Sequence, residues 1–321
     1  MRYFLIFFLF AIIIAITVIG MLFDMEESHA AGTTYYVAKT GSDSNSCTAA
    51  QNPATPKLTI GVNNNSGMAC LKAGDTLIVK AGIYELPDHI SNATLTMGYG
   101  TSWDNSVTIK ANPGDMVIVR GVSFAYTSPQ YIIIDGFVVD GQNLSEELLF
   151  WFADQSQGGS SNHIRVQNCD IRNLPDGYGA IISGPGHEFI NNKIHDSFPA
   201  YHKGSTNCGQ SICWGYPFYW QGSDGLIDGN EIYNVPSFAI QMYNGYGPYN
   251  NNNIVRNNII HDFGNYYWPT PPPGALGPGD PRGAGILMTS GTGDTAYNNI
   301  IYNGSNGIAI GSSQMSVYNN I

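Results

Sequence analysis

Asn191-Asn192-Lys193-Ile194 is one of six copies of a short phrase, (Asn or Gly)-(Asn or Cys)-x-Ile, in the second half of this 321-residue chain. The others are Asn168-Cys169-Asp170-Ile171, Gly229-Asn230-Glu231-Ile232, Asn257-Asn258-Ile259-Ile260, Asn298-Asn299-Ile300-Ile301 and an unfinished Asn319-Asn320-Ile321. Each follows a short β-rich run, such as His163-Ile164-Arg165-Val166 or Asn253-Ile254-Val255, bounded by Gly or Asn rather than by helix caps. A self-similar period of this kind decides the architecture before any single residue is interpreted.

From phrase Ile to phrase Ile the steps are 23, 38, 28 and 41 residues between Ile171 and Ile301. The shortest sets the basic repeat. A coil of about 22 residues with three short strands and tight turns is the unit of a parallel β-helix, and the longer steps are that coil plus loop insertions. Coils stacked about 4.8 Å apart place identical turn residues above one another. Asn suits the position twice over, since it tolerates a left-handed backbone and its amide offers a donor and an acceptor to the coils on either side. Cys169 stands in this column as a small buried thiol.

With these phrases the chain resembles the right-handed parallel β-helix proteins, which include pectate lyases, pectin-degrading hydrolases and chondroitinase-like lyases. The likeness covers residues 33 to 321. Its opening, Tyr35-Tyr36-Val37-Ala38 with Gly41-Ser42-Asp43-Ser44-Asn45 and then Gly74-Asp75-Thr76-Leu77-Ile78-Val79, matches a start common in bacterial members. The resemblance implies an all-β, single-stranded right-handed solenoid with an Asn ladder, and an exported carbohydrate-active function. It specifies fold more strongly than reaction.

Residues 1–30 read as a separate object: Arg2, an apolar run from Tyr3 to Phe23, then Ser28-His29-Ala30-Ala31. That is a secretion signal with a cut after Ala30, or a membrane anchor if uncleaved, and either sends the body out of the cytoplasm. Thirteen Lys and Arg against 24 Asp and Glu make the chain acidic, which argues against nucleic acid as a partner. Five cysteines in an exported chain suggest disulfides, with Cys47 and Cys70, and Cys208 and Cys213, as the pairs nearest in sequence and Cys169 left over. A monomer is expected. The chain stops inside a phrase, so the solenoid reads as continuing past Ile321.

One strand of each coil precedes the run into the phrase: Gly179 to Ser183, Phe218 to Gln221, Ala239 to Tyr243, Gly285 to Thr289 and Gly307 to Gly311. Period-two alternation points Ala180, Ile182, Phe218, Trp220, Ile240, Met242, Ile286, Met288, Ile308 and Ile310 inward. Ile181, Tyr219, Gln221, Gln241, Tyr243, Leu287 and Thr289 then face outward. The insertions at 197 to 216 and 262 to 283 fall between the phrase and this sheet, so they should wall a groove over its outer face. Tyr219, Gln221, Gln241 and Tyr243 are the expected floor for a polysaccharide, with Trp214 and Trp268 on the walls. Aromatic faces stack on sugar rings, and amides pair with hydroxyls.

β-Elimination from an acidic polysaccharide needs a base, an acid for the leaving oxygen and a cation for the uronate. Lys203, His202 and Arg282 in the insertions are the basic candidates. His195 and His261, each followed by an Asp and each opening an insertion, are further acid-base candidates, although stacked turn residues of this kind are more often structural. Ca²⁺ would take oxygen ligands from Asp196, Asp262 and Asp280. No carboxylate occurs at the outward sheet positions, which argues against inverting hydrolysis by a carboxylate pair. The Arg-Pro-x-x-Arg signature of one pectate lyase branch is absent as well. A polysaccharide lyase is the first reading, with a non-catalytic glycan-binding surface protein and a glycoside hydrolase as alternatives.

Overall fold

Among the described residues every strand pairing is parallel, and successive strands of one sheet come from successive coils. The computed structural model describes residues 32–85, 90–92, 96–124, 128–141, 149–152, 161–174, 180–197, 217–235, 237–243, 250–264, 283–311 and 314–321. Among these residues the strands form three sheets of ten, eight and eight. One coil shows the plan. Ala180–Ile182 belongs to the sheet we call C, Glu188–Ile190 to sheet A and Lys193–His195 to sheet B, after which Phe218–Trp220 returns to sheet C. The phrase is the tight turn from sheet A to sheet B.

The two residues of that turn divide the work that the sequence reading gave to one. The first is the left-handed residue: Asn168, Asn191, Asn257, Asn298 and Asn319 have φ between 54° and 57°, and Gly229 has 68°. The second points inward and builds the ladder. Asn230 Oδ1 accepts from the backbone N and the Nδ2 of Asn192, at 2.9 and 3.0 Å, and Asn258 Oδ1 does the same for Asn230. Asn299 and Asn320 continue the pattern. Each ladder amide also donates to a sheet A carbonyl, Asn230 to Phe189 and Asn258 to Ile227. Burial would make an unpaired amide costly, so this column is stable only because every coil completes the one before it. Cys169 closes the ladder at one end: its N–H donates to Asn192 Oδ1, its Sγ lies 3.2 Å from the Gln167 carbonyl, and burial pushes its thiol up to about 12.

The residues expected to face inward do so. Ala180, Ile182, Phe218, Trp220, Ile240, Met242, Ile286 and Met288 are buried, whereas Ile308 is half-buried and Ile310 exposed in the last coil. Phe150, Phe189, Phe218 and Trp220 interlock edge to face in the centre of the core. At the other end, strand Thr34–Val37 opens sheet A beside Thr76–Val79. The segment between them is pinned by the Cys47–Cys70 disulfide, as its sequence proximity suggested, and by Asp43, which accepts from the N–H groups of Leu58 and Thr59 and from the Thr59 hydroxyl. Residues Thr33–Ile321 form one contact unit.

A second polar column, which the sequence reading missed, runs inside the turn from sheet C to sheet A. His187, Gly225, Asn253 and Asp294 share one register position. His187 accepts from the Ile164 N–H at Nδ1 and donates to the Ser183 carbonyl from Nε2, and burial lowers its pKa to about 4. Asn253 Oδ1 accepts from Trp220 Nε1 and Gly225 N, while its own N and Nδ2 donate to Asp294 Oδ1. Gly225 leaves room for the indole, since a Cβ there would lie 2.2 Å from Trp220 Cζ2. Asp294 is fully enclosed, its Oδ2 has no partner, and burial raises its pKa to about 6.

No helix among the described residues is long and apolar enough to cross a membrane. The apolar segment at residues 1–30, with its expected cut after Ala30, lies outside the described residues, as do Cys208 and Cys213.

Candidate functional site

Both long insertions leave sheet B and return to sheet C, the first between Ser197 and Pro217 and the second between Gly264 and Gly283. The residues between these ends lie outside the described residues, and sheet C is the sheet at which the chain re-enters after each. Its outward positions form two columns. Trp151, Ile181, Tyr219, Gln241, Leu287 and Ala309 lie side by side in successive strands. Two residues further along, Ser183, Gln221, Tyr243 and Thr289 continue the same ladder. None of these side chains carries a charge, in keeping with the missing carboxylates of the sequence reading.

The face is less open than the alternation alone implied. Tyr219 is 5 % exposed because it packs with Phe238 and Ala284 in a small apolar cluster, against Ile181, Leu287 and Ala309. Gln221 and Gln241 are also buried, at 4 % and 8 %. Gln221 Oε1 accepts from the Ser183 hydroxyl at 3.0 Å, whereas Gln241 Oε1 is enclosed with no partner. Tyr243 is the open aromatic, 44 % exposed, its ring centroid 6.2 Å from that of Tyr219. So of the four expected floor residues, three are lodged in the face and one stands out from it. Alternation reports which side a residue faces; only packing reports what covers that side.

His195 and His261 sit elsewhere. They belong to the outer face of sheet B, in a column with Tyr233 and Tyr302. The four rings stack almost parallel, with centroids 4.8, 5.0 and 5.0 Å apart, a spacing set by the coil repeat. His195 is held at both nitrogens by carboxylates and His261 at Nδ1. His195 Nδ1 meets Asp196 Oδ2 and Nε2 meets Asp170 Oδ1, both at 2.8 Å. His261 Nδ1 lies 2.7 Å from Asp262 Oδ2, and Nε2 lies 3.5 Å from Glu231 Oε1. A base must present a free nitrogen to its proton. These rings stand in a stack on sheet B and not on sheet C, with His195 engaged at both nitrogens and His261 at Nδ1, so the structure seats them as scaffold.

Asp196 and Asp262 are turn residues with φ of 56° and 52°. Their second oxygens accept from Asn234 and Asn303 in the next coil, at 2.8 and 3.3 Å. Two separated aspartates with both oxygens so engaged do not fit the oxygen cage that Ca²⁺ requires. Among the described residues no group of three or more His, Cys, Asp or Glu is spaced to hold a metal ion. The same sheet B column continues upstream as alternating charges. Arg120 pairs with Glu85 and Asp140, and Arg172 with Asp140 and Asp170. The sequence carried the signal, His-Asp and Tyr-Asn alternating after Ile194, Ile232, Ile260 and Ile301, but the stacking needs the register across insertions to be seen.

Lys203, His202, Arg282, Trp214, Trp268 and Asp280 lie outside the described residues.

A family model described as "Right handed beta helix region" matches residues 156–321, more than half of the chain. The chain belongs to the right-handed β-helix family. No curated protein matches it. Among solved structures, the pectate lyase Pel9A superposes with a TM-score of 0.56 at 15% identity, covering 91% of this chain and 80% of that one. A complex of XylC with xylose gives a TM-score of 0.55 at 13% identity, covering 86% of this chain. This chain spans 63% of the length of that protein. At such identities the likeness is one of fold, the three-sheet solenoid with its inward apolar columns.

Proposed function

We propose that this right-handed β-helix protein is exported and carbohydrate-active, and that it takes a polysaccharide chain along the outer face of sheet C. The observation that carries the reading is that face itself: aromatic and amide side chains in an uncharged row among the described residues. Half-exposed Tyr243 offers a ring for stacking, and amides supply paired donors and acceptors for hydroxyls. Two fold neighbours are in keeping with it, one a pectate lyase and the other solved with xylose.

The enzymatic form of this proposal is a polysaccharide lyase acting on an acidic polymer by β-elimination. Its base, acid and cationic group would come from the insertions, with Lys203, His202 and Arg282 as the candidates, because the described outward residues of sheet C include no His, Lys, Arg or carboxylate, only the phenols of Tyr219 and Tyr243. Ca²⁺ remains part of the proposal only through groups such as Asp280. The bareness of the sheet favours a second reading, a glycan-binding protein without catalysis.

A single screen separates them. Purified protein is incubated with pectate, alginate and glycosaminoglycans, with Ca²⁺ and with a chelator, and assayed for ultraviolet-absorbing unsaturated uronides, for reducing ends and for retention on the glycan. Unsaturated product that is lost in Lys203→Ala or His202→Ala supports the lyase. Retention without product supports the binding protein, and reducing ends without absorbance support a hydrolase. Neither product nor retention on any glycan overturns the carbohydrate reading.

A further inference from the structure

The segment between the first two strands of sheet A forms a cavity of about 550 Å³, and Lys57 is part of its lining. Lysine is seldom buried without a carboxylate beside it, because a lone charge taken out of water destabilises the fold. Lys57 is 4 % exposed, and its ammonium forms no ion pair among the described residues. Two of its three protons go to backbone carbonyls, that of Asn65 at 2.7 Å and that of Asp43 at 3.3 Å. Both of those residues line the cavity as well, which sets the ammonium at its wall. The Asp43 carboxylate is already engaged: Oδ1 accepts from the N–H groups of Leu58 and Thr59, and Oδ2 from the Thr59 hydroxyl. Burial holds the Lys57 pKa below the ordinary lysine value, although the Asp43 charge raises it. The backbone fixes the position. Lys57 donates its N–H to the Tyr36 carbonyl and accepts from the Ala38 N–H, beside strand Thr34–Val37.

The rest of the lining offers donors. Asn63 Oδ1 accepts from the Asn65 N–H and Asn64 Oδ1 from the Thr96 N–H, both at 2.8 Å, and this fixes which way each amide is turned. Their Nδ2 groups have no partner among the described residues, and Asn63, Asn64 and Asn65 are exposed, so this side of the cavity opens to solvent. Uncommitted donors around an unpaired cation select an acceptor that carries negative charge. The volume falls in the range of small-ligand pockets, about 300–1,000 Å³, and a bare anion would leave most of it unfilled. The lining is mainly amide, hydroxyl and backbone, so the body that carries the charge is polar too. We propose that this cavity binds a sugar acid, with the Lys57 ammonium and the Asn63 and Asn64 amides as donors to its carboxylate and hydroxyls. The site belongs to the opening segment and not to sheet C. It stands whether or not sheet C takes a polysaccharide.

Calorimetric titration of the protein with galacturonate and glucuronate tests this, with galactose and glucose as neutral counterparts and acetate and phosphate as anions that lack the sugar ring. Wild type should bind at least one uronate. Lys57→Met, which keeps the stem and removes the charge, should weaken that binding by tenfold or more. Asn64→Asp keeps an oxygen for the Thr96 N–H but sets a negative charge in the lining, and should weaken it as much. Circular dichroism reports whether each variant is folded, and Asn64→Asp decides the matter where Lys57→Met is not. A wild type that binds no uronate overturns the proposal, as does a folded variant that binds as tightly as wild type. Galactose or glucose bound as tightly as its acid would mean that the carboxylate is not read, and acetate or phosphate bound as tightly would mean that the sugar is not. Either result overturns it.

Discussion

Asp294 and His187 occupy the same interior column yet respond to pH in opposite senses. Burial raises the Asp294 carboxyl from 3.8 to about 6, so the folded state holds that proton more tightly than the unfolded chain. Its contribution to stability is full below about pH 4 and is lost as the pH rises through about 6. Burial lowers His187 from 6.5 to about 4, and its contribution is full above about pH 6.5 and lost as the pH falls through about 4. Over the window between, the two nearly offset. Asp294→Asn keeps an oxygen for the Asn253 donors and removes the buried charge. We therefore expect this variant to be more stable than wild type at pH 8 by on the order of 2 kcal/mol. It should also lose stability more steeply between pH 6.5 and 4, because the His187 loss is no longer offset. Urea unfolding of both proteins across that range checks the two claims, and equal slopes would contradict the second.

At the scale of the element, the Asn ladder carries more of the fold than any single strand. Asn230 both accepts from Asn192 and donates to Phe189 and Asn258, all in the interior. Asn230→Ala leaves several buried groups unpaired at once and should cost about 3 kcal/mol or more. Asn320→Ala removes the acceptor for Asn299 and a donor to the Ala296 and Tyr318 carbonyls, but at a less buried end where water replaces them, and should cost about 1 kcal/mol. Comparing denaturant midpoints for the two variants tests whether position in the stack, rather than residue type, sets the energy. The phrase announced this element in the sequence because Asn is needed at the same place in every coil. No such repetition announced His187, Gly225, Asn253 and Asp294, where four residue types solve one turn in four ways. The sheet B ring stack was half visible, as His and Tyr alternating after the phrase Ile.

Across the whole molecule, stability is shared unevenly between the repeat and its opening segment. The coils support one another, but the stretch from Ala38 to Asp75 contributes no strand to a sheet and relies on its cross-links. The Cys47–Cys70 bridge closes a 23-residue separation there. Loop-closure entropy puts its worth at about 3 kcal/mol. Cys47→Ser with Cys70→Ser should lower stability by that order and make residues 38–75 the first to exchange amide hydrogens, while the Asn ladder stays protected. Hydrogen exchange resolved along the chain would show it, and uniform loss of protection would refute it. Cys169 should take no part, since its thiol is buried and held protonated. The same bridge accords with an oxidising compartment.

By itself the sequence determined the three-stranded coil, the turn that carries the ladder and the side of each strand that faces the core. All of these are local: they depend on period-two alternation and on turn chemistry within a few residues. The tertiary structure decided which outward residues are open, which carboxylates are already engaged and which rings stack. Those outcomes depend on register between coils separated by 23, 38, 28 and 41 residues, and sequence distance does not reveal register. That is why Tyr219 and Gln241 read as an exposed floor and proved buried, and why His195 and His261 read as acid-base candidates and proved part of a stack on sheet B. The alternation was right about direction in each case. What lies over a residue is a property of the stack.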